Sequence, residues 1–297
     1  MIAVLLLVIP VAAAAEPEVV YLQGSANPTF NLRFTELLEA ELGEDTQVRS
    51  YASLRNFEGP PGPVITLGPD ALTQVLEHGT KRPVLALLIG VSEFQGFSRD
   101  SDADLSAVFY DVPLLRQALI GRVILPQATR MALLARPDQA DQYDDLIDRL
   151  PGFGIEARIF LVTSEDTLIP NLSRALEYGD FLLATPDDTI YNARTIKHIL
   201  LTTYRRNRLV IGPSHAFVRA GVLASSYVPL PEYARVAAGY IKKWQKTGEL
   251  PAPSYPDVFS IEVNRQVARS LNIPLPADSE IVDEVQGLLQ KPEEEGE

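Results

Sequence analysis

The chain has 297 residues, no cysteine and a formal net charge of −13. Lacking cysteine, it can have no disulfide, no thiolate nucleophile, no cysteine metal ligand and no lipid anchor on cysteine. The acidic balance argues against a groove for nucleic acid or an anionic lipid surface, while a hydrophobic share of 46% suffices for packed cores.

Ile2–Ala15 is an apolar run ending in Ala12-Ala13-Ala14-Ala15, just before Glu16-Pro17. It reads as a secretory signal, residues 1–15, with cleavage expected near Ala15 and a periplasmic mature protein, although nothing before Val4 is basic. It is too short to span a membrane. Val19–Leu22 is the first expected strand, followed by the polar loop Gln23–Pro28 and a helix over Phe30–Glu41, which Gly43 stops. Thr46–Tyr51 and Val64–Leu67 read as strands two and three. Gly68-Pro69-Asp70 opens a helix to His78, and Pro83–Ile89 is strand four. Strands alternating with helices of this length predict a doubly wound parallel sheet. Ser92–Asp104 interrupts the alternation and reads as a surface excursion; the alternative reading is an aromatic lip over a cleft, formed by Phe94 and Phe97. A first passage between two lobes is expected near Phe109–Val112.

A second alternation follows: Met131–Ala135 strand, Ala140–Leu150 helix, Glu156–Val162 strand and Asp166–Tyr178 helix. Phe181–Ala184 is a short apolar strand that stops at Thr185-Pro186-Asp187-Asp188. Ile190, Ala193, Ile196, Leu200 and Tyr204 then recur at helical spacing. Leu209–Gly212 is the next strand and Pro213-Ser214-His215 the next turn. Two successive βα units place both polar turns on the carboxyl edge of one sheet, where open α/β folds bind ligands. Pro229–Trp244 reads as an amphipathic helix closed near Gly248. The proline-rich stretch Leu250–Pro256 is extended, Phe259–Val263 is a last strand and Asn264–Ser270 a short helix. Asp278–Glu297 is an acidic tail, helical at first and without order from Pro292.

The order and spacing of several pieces carry a resemblance: Thr185-Pro186-Asp187, Tyr191-Asn192-Ala193-Arg194-Thr195-Ile196, Phe217-Val218-Arg219-Ala220-Gly221-Val222-Leu223-Ala224, the helix at Tyr233–Trp244, Pro251–Pro256 and Val263–Leu271. In these the chain resembles the periplasmic substrate-binding proteins of ABC importers, in the tryptophan/tyrosine-type group. The resemblance implies an α/β protein of type I periplasmic-binding fold, two Rossmann-like lobes with parallel sheets joined by a three-crossover hinge. Lobe one would then be residues 16–110 plus 225–250, lobe two 111–224 plus 255–276, and the acidic tail 277–297. It further implies a non-enzymatic protein that closes on a small polar or aromatic molecule and delivers it to an inner-membrane permease. The alternative within the same architecture is a ligand-sensing module for a membrane kinase or cyclase. Pro69-Asp70 departs from the pattern, since an aspartate at a helix N-terminus repels a carboxylate.

The candidate ligand-binding residues are Ser25 and Asn27 after strand one, Ser92 after strand four, Asp187, Tyr191 and Asn192 after Phe181–Ala184, and Ser214, His215 and Phe217 after Leu209–Gly212. Each has a structural reading beside the functional one. Ser25, Asn27, Asp187 and Ser214 are cap residues, Asn192 satisfies a turn, and Tyr191 and Phe217 suit a core as well as a stacking wall. Gly212-Pro213-Ser214-His215-Ala216 approaches a nucleophile elbow, but no histidine follows His215, so a hydrolase triad is not expected. No phosphate loop appears, and three scattered histidines without cysteine make neither a metal nor another cofactor expected.

Overall fold

The computed structural model describes residues 18–53 and 59–290. The signal-like segment 1–15 and the end of the acidic tail from Pro292 lie outside the described residues. The first alternation forms β1 (Glu18–Gln23), α1 (Pro28–Leu42), β2 (Thr46–Ser50), β3 (Val64–Leu67), α2 (Pro69–Glu77), β4 (Val84–Ile89), α3 (Val91–Asp100) and β5 (Leu105–Phe109). The strands pair in parallel in the order β2-β1-β3-β4-β5. α1 starts as the sequence demands, with the Asn27 side chain accepting from Phe30 N–H and Pro28 in its first turn. Gly68, at φ 91°, caps α2 in a conformation that favours glycine.

The segment expected to be a surface excursion is the helix α3. Val91, Phe94 and Phe97 recur at helical spacing, and Phe94 is buried against Phe109 with ring centroids 5.7 Å apart. Phe94 therefore packs into the sheet and forms no lip. The register of β4 on β5 slips at Leu88, whose φ of 57° marks a bulge at the carboxyl end of β4.

The second set of elements is α4 (Leu114–Ile124), β6 (Arg130–Ala135), α5 (Asp144–Arg149), β7 (Glu156–Leu161), α6 (Glu165–Tyr178), β8 (Phe181–Leu183), α7 (Ile196–Arg205), β9 (Leu209–Ile211), α8 (His215–Ala220) and β10 (Ala224–Tyr227). After α9 (Leu230–Thr247) come β11 (Ser260–Val263), α10 (Arg265–Ser270) and α11 (Asp278–Leu289). The second sheet runs β11-β10-β9-β8-β6-β7, parallel except for β11, which is antiparallel to β10. α4 crosses it closely at Gly121, where a Cβ would stand 2.6 Å from the Phe181 ring.

Two local expectations change. The helix anticipated from Ile190 begins at Ile196, because side chains satisfy the backbone before it. Asn192 Oδ1 accepts from Arg194 and Thr195 N–H, and the Thr195 hydroxyl donates to Ile190 O at 2.6 Å. Ala224–Tyr227 belongs to the second sheet, so lobe one regains the chain after Tyr227 and not at residue 225. The acidic tail starts as the expected helix, α11, and this helix buries Ile281 and Val285 in the core shared with α4 and β11.

α9 returns to the first sheet and packs Tyr233, Ala237 and Ile241 with Phe34 and Leu38 of α1. Ser254 then bridges Val108 of β5 in parallel. The chain thus passes between the two sheets three times, at 110–113, 228–229 and 255–259.

Candidate functional site at the facing sheet edges

All three passages join the same kind of edge. β5 ends at Phe109 and leads into α4, which descends along the second sheet from its carboxyl edge. β10 ends at Tyr227 and leads into α9, and Ser254 runs parallel to β5 before the chain enters β11 beside the end of β10. The carboxyl edges of both sheets therefore border one gap. In the first sheet α1 packs on one face and α2 on the other, so the switch point lies between the ends of β1 and β3. In the second sheet α5 and α7 divide the faces in the same way, and the switch point lies between β6 and β8. These crevices are where the topology leaves room for a ligand.

At the second switch point Arg136 follows β6 and Asp187 follows β8. Arg136 Nε lies 3.2 Å from Asp187 Oδ2, and Arg136 Nη1 lies 3.3 Å from Asp138. The Asp187 side chain is only 3% exposed. Its Oδ1 accepts from Thr189 N–H at 2.8 Å, and the Gln139 amide, in the orientation that satisfies both its atoms, joins Asp187 to Arg136. Burial pushes the nearby Tyr143 phenol above its ordinary pKa. Beside this cluster is a cavity of about 360 Å³, whose walls include Arg136, Glu165, Asp188, Thr189, Asn192 and Arg194. It offers donors and acceptors of both charges. A larger cavity, about 730 Å³, lies at the opposite, amino edge of the sheet among Ala128, Asp180, Arg208 and Leu209.

The sequence-predicted residues divide among five places. Ser25 and Asn27 sit at the first switch point, in a closed local network: the Ser25 hydroxyl donates to Asn31 Oδ1 at 2.9 Å and Asn27 caps α1. Ser92 is exposed on the first turn of α3. Asp187 and Asn192 are at the second switch point, and Asn192 Nδ2 donates to Asp188 O at 3.0 Å. Ser214 precedes α8 on the carboxyl edge beyond β9, and His215 Nδ1 lies 2.7 Å from Glu262 Oε2 on β11. Tyr191 and Phe217 leave the rim. Tyr191 is 1% exposed in the core under α6 and α7, with Phe217 packed against it at 6.5 Å between ring centroids. Sequence reasoning missed Arg136 and Gln139. The available signal was a cation directly after the strand Met131–Ala135, at the position corresponding to the loop after β1.

The passages themselves are tied together. Tyr233 of α9 donates to Phe109 O at 2.9 Å, and Tyr255 donates to Asp111 Oδ2 at 3.4 Å. Asp111 also accepts from Val91 N–H at 3.3 Å, so it joins the first passage to α3 and to the third passage. Burial, with Glu93 nearby, pushes the Asp111 carboxyl above its ordinary pKa. An acid with a raised folded pKa binds its proton more tightly when folded. Its ionisation therefore costs stability as the pH rises above the ordinary aspartate range, and the cost is absent below that range. Asp111→Asn is expected to raise resistance to urea at pH 7 and to lose that advantage near pH 3.5. Urea midpoints at the two pH values check this; equal midpoints for variant and parent at pH 7 would refute it.

No family model matches the chain, and no curated protein sequence does. Solved structures do. The chain is similar to the ligand-free, open structure of a substrate binding protein with adhesive properties from Clostridium difficile. That match has a TM-score of 0.69 and 14% identity, over 88% of this chain and 97% of the other. It is also similar to an ABC domain in complex with L-Trp from Streptococcus pneumonia, at TM-score 0.53 and 14% identity over 91% and 98% of the two chains. A conserved domain protein from Vibrio cholerae matches with the same figures. The likeness establishes the fold: two lobes with largely parallel sheets, the type I periplasmic-binding architecture.

Proposed function

We propose that this chain is a periplasmic solute-binding protein. It captures a small polar or aromatic molecule between its lobes and delivers it to an ABC importer in the inner membrane. The observation that carries this reading is topological. Three passages join only carboxyl edges, so both switch points open on one gap, with Arg136, Asp187 and Asn192 on one side and Ser25 and Asn27 on the other. The fold shared with the substrate-binding proteins supports it. Such a protein does no covalent chemistry. A ligand that touches both lobes binds the closed state more tightly and shifts the population towards it.

The test is thermal unfolding of the purified chain with L-tryptophan, the other common amino acids and a set of simple sugars, followed by small-angle X-ray scattering. A true ligand raises the midpoint with concentration and contracts the radius of gyration. If no such compound does either, the capture reading fails. Permease and ATPase genes beside the gene of this chain would mark transport; a membrane kinase or cyclase gene there would mark sensing.

A further inference from the structure

The third passage packs on one charged side chain at the start of α4, just after the first passage. Arg116, on the first turn of α4, is 6% exposed. Its Nη2 donates to Pro256 O at 3.1 Å, and its guanidinium carbon lies 4.3 Å from the centroid of the Phe259 ring. Its Nε is sealed from solvent without a hydrogen-bond partner, and Nη1 is neither bonded nor sealed. Asp257 attracts it only through space and is itself exposed. Buried guanidinium groups are ordinarily matched by a carboxylate, because the desolvation of the charge is otherwise uncompensated. This one has a carbonyl and an aromatic face instead. It also stands at the N-terminal end of an eleven-residue helix, whose dipole adds to the positive potential. Pro113 supplies no N–H there, and the first helical bond runs from Gln117 N–H to Pro113 O, so the amides of the first turn are unspent. In the first lobe's switch point the helix end after β3, that of α2, carries Asp70 and repels an anion.

We propose that Arg116 is the recognition point for an anionic group, a carboxylate or similar oxyanion, on the molecule held between the lobes. This rests on the capture reading above. The open Nη1 receives the anion, and the α4 amides complete its hydrogen bonds. Since Arg116 already holds Pro256 and Phe259 of the third passage, filling the site joins ligand charge to the hinge itself.

The probes are acetate, benzoate, indole-3-acetate and inorganic phosphate, with indole-3-acetamide, benzamide and D-ribose as neutral controls at matched ionic strength. They are read by thermal unfolding of the full chain and of Arg116→Met and Arg116→Lys. We expect at least one anion, and not its neutral counterpart, to raise the midpoint of the parent. Its affinity should fall at least tenfold in Arg116→Met and less in Arg116→Lys. Ligand-free Arg116→Met should unfold at the same or a higher temperature than the parent, because an unmatched charge is gone. A ligand-free Arg116→Met several degrees less stable than the parent would make Arg116 a structural clamp and overturn the proposal. A neutral compound that binds parent and Arg116→Met alike would also overturn it while leaving the capture reading intact. No response to any anion overturns it as well.

Discussion

Asp187→Ala is expected to lower the unfolding free energy by about 3 kcal/mol, near the lower end of the range for breaking a buried ion pair. The carboxylate serves several donors at once. Oδ1 accepts from Thr189 and Ile190 N–H, and Oδ2 faces Arg136 and the Gln139 amide. Alanine leaves those donors unpaired in a nearly closed site, and the lost turn hydrogen bonds alone account for about 1 kcal/mol. Arg136 keeps Asp138 at 3.3 Å and is partly exposed, which moderates the loss. Ligand affinity should fall with stability, since the rim from Thr185 to Thr195 is shaped by this carboxylate and by Asn192 and Thr195. Because the Asp187 side chain is shielded, the loss should change little between low and moderate salt. Urea unfolding at two salt concentrations measures both; a loss under about 1 kcal/mol would show that Asp187 does not pin the rim.

How much of this was legible in the sequence depends on how local each cause is. β3, α1 and α9 carry their own signals: an apolar run, an Asn-Pro start, and a glycine stop at Gly248 with φ 78°. Ala224–Tyr227 carries none, because Ser225 and Ser226 are poor signs of a buried strand. They are tolerated because Gln117, 108 residues away, donates to the Ser225 hydroxyl and accepts from Ser226 N–H. Likewise the Arg136–Asp187 pair joins residues 51 apart, and only the neighbouring positions of β6 and β8 bring it about. Each partner stood at a legible place, directly after a strand, but the pairing is a property of strand order. Periodicity misled at Ile190–Tyr204 for the opposite reason. The apolar spacing was there, but short side chains nearby offered the backbone better partners than a helix would. The same preference for local pattern turned α3 into a loop, since its charges outnumber the two phenylalanines that bury it.

Tyr191→Ala separates the two uses an aromatic residue on a predicted rim can have. Its ring lies in the core cluster that also holds Leu134, Leu182, Ile199 and Val210 and meets Phe217 edge-on, while the cavity beside it is walled by its neighbours Ile190 and Asn192 and not by Tyr191. Truncation leaves a void in a core that cannot fully collapse, and the expected loss is about 3–5 kcal/mol. At roughly 2–4 °C per kcal/mol that lowers the midpoint of the second lobe by on the order of 10 °C. Affinity for a ligand found by the screen, measured well below that midpoint, should stay within about threefold of the parent, since the uniform loss acts through unfolding. Asn192→Ala should behave in the reverse sense. It removes an amide from the cavity wall at a partly exposed position, so binding weakens more than folding does. If Tyr191→Ala instead abolished binding at a temperature where circular dichroism still reports the folded state, the ring would be reaching the ligand after all. The gap would then have to open into the space under α7, which in this arrangement is filled by apolar side chains.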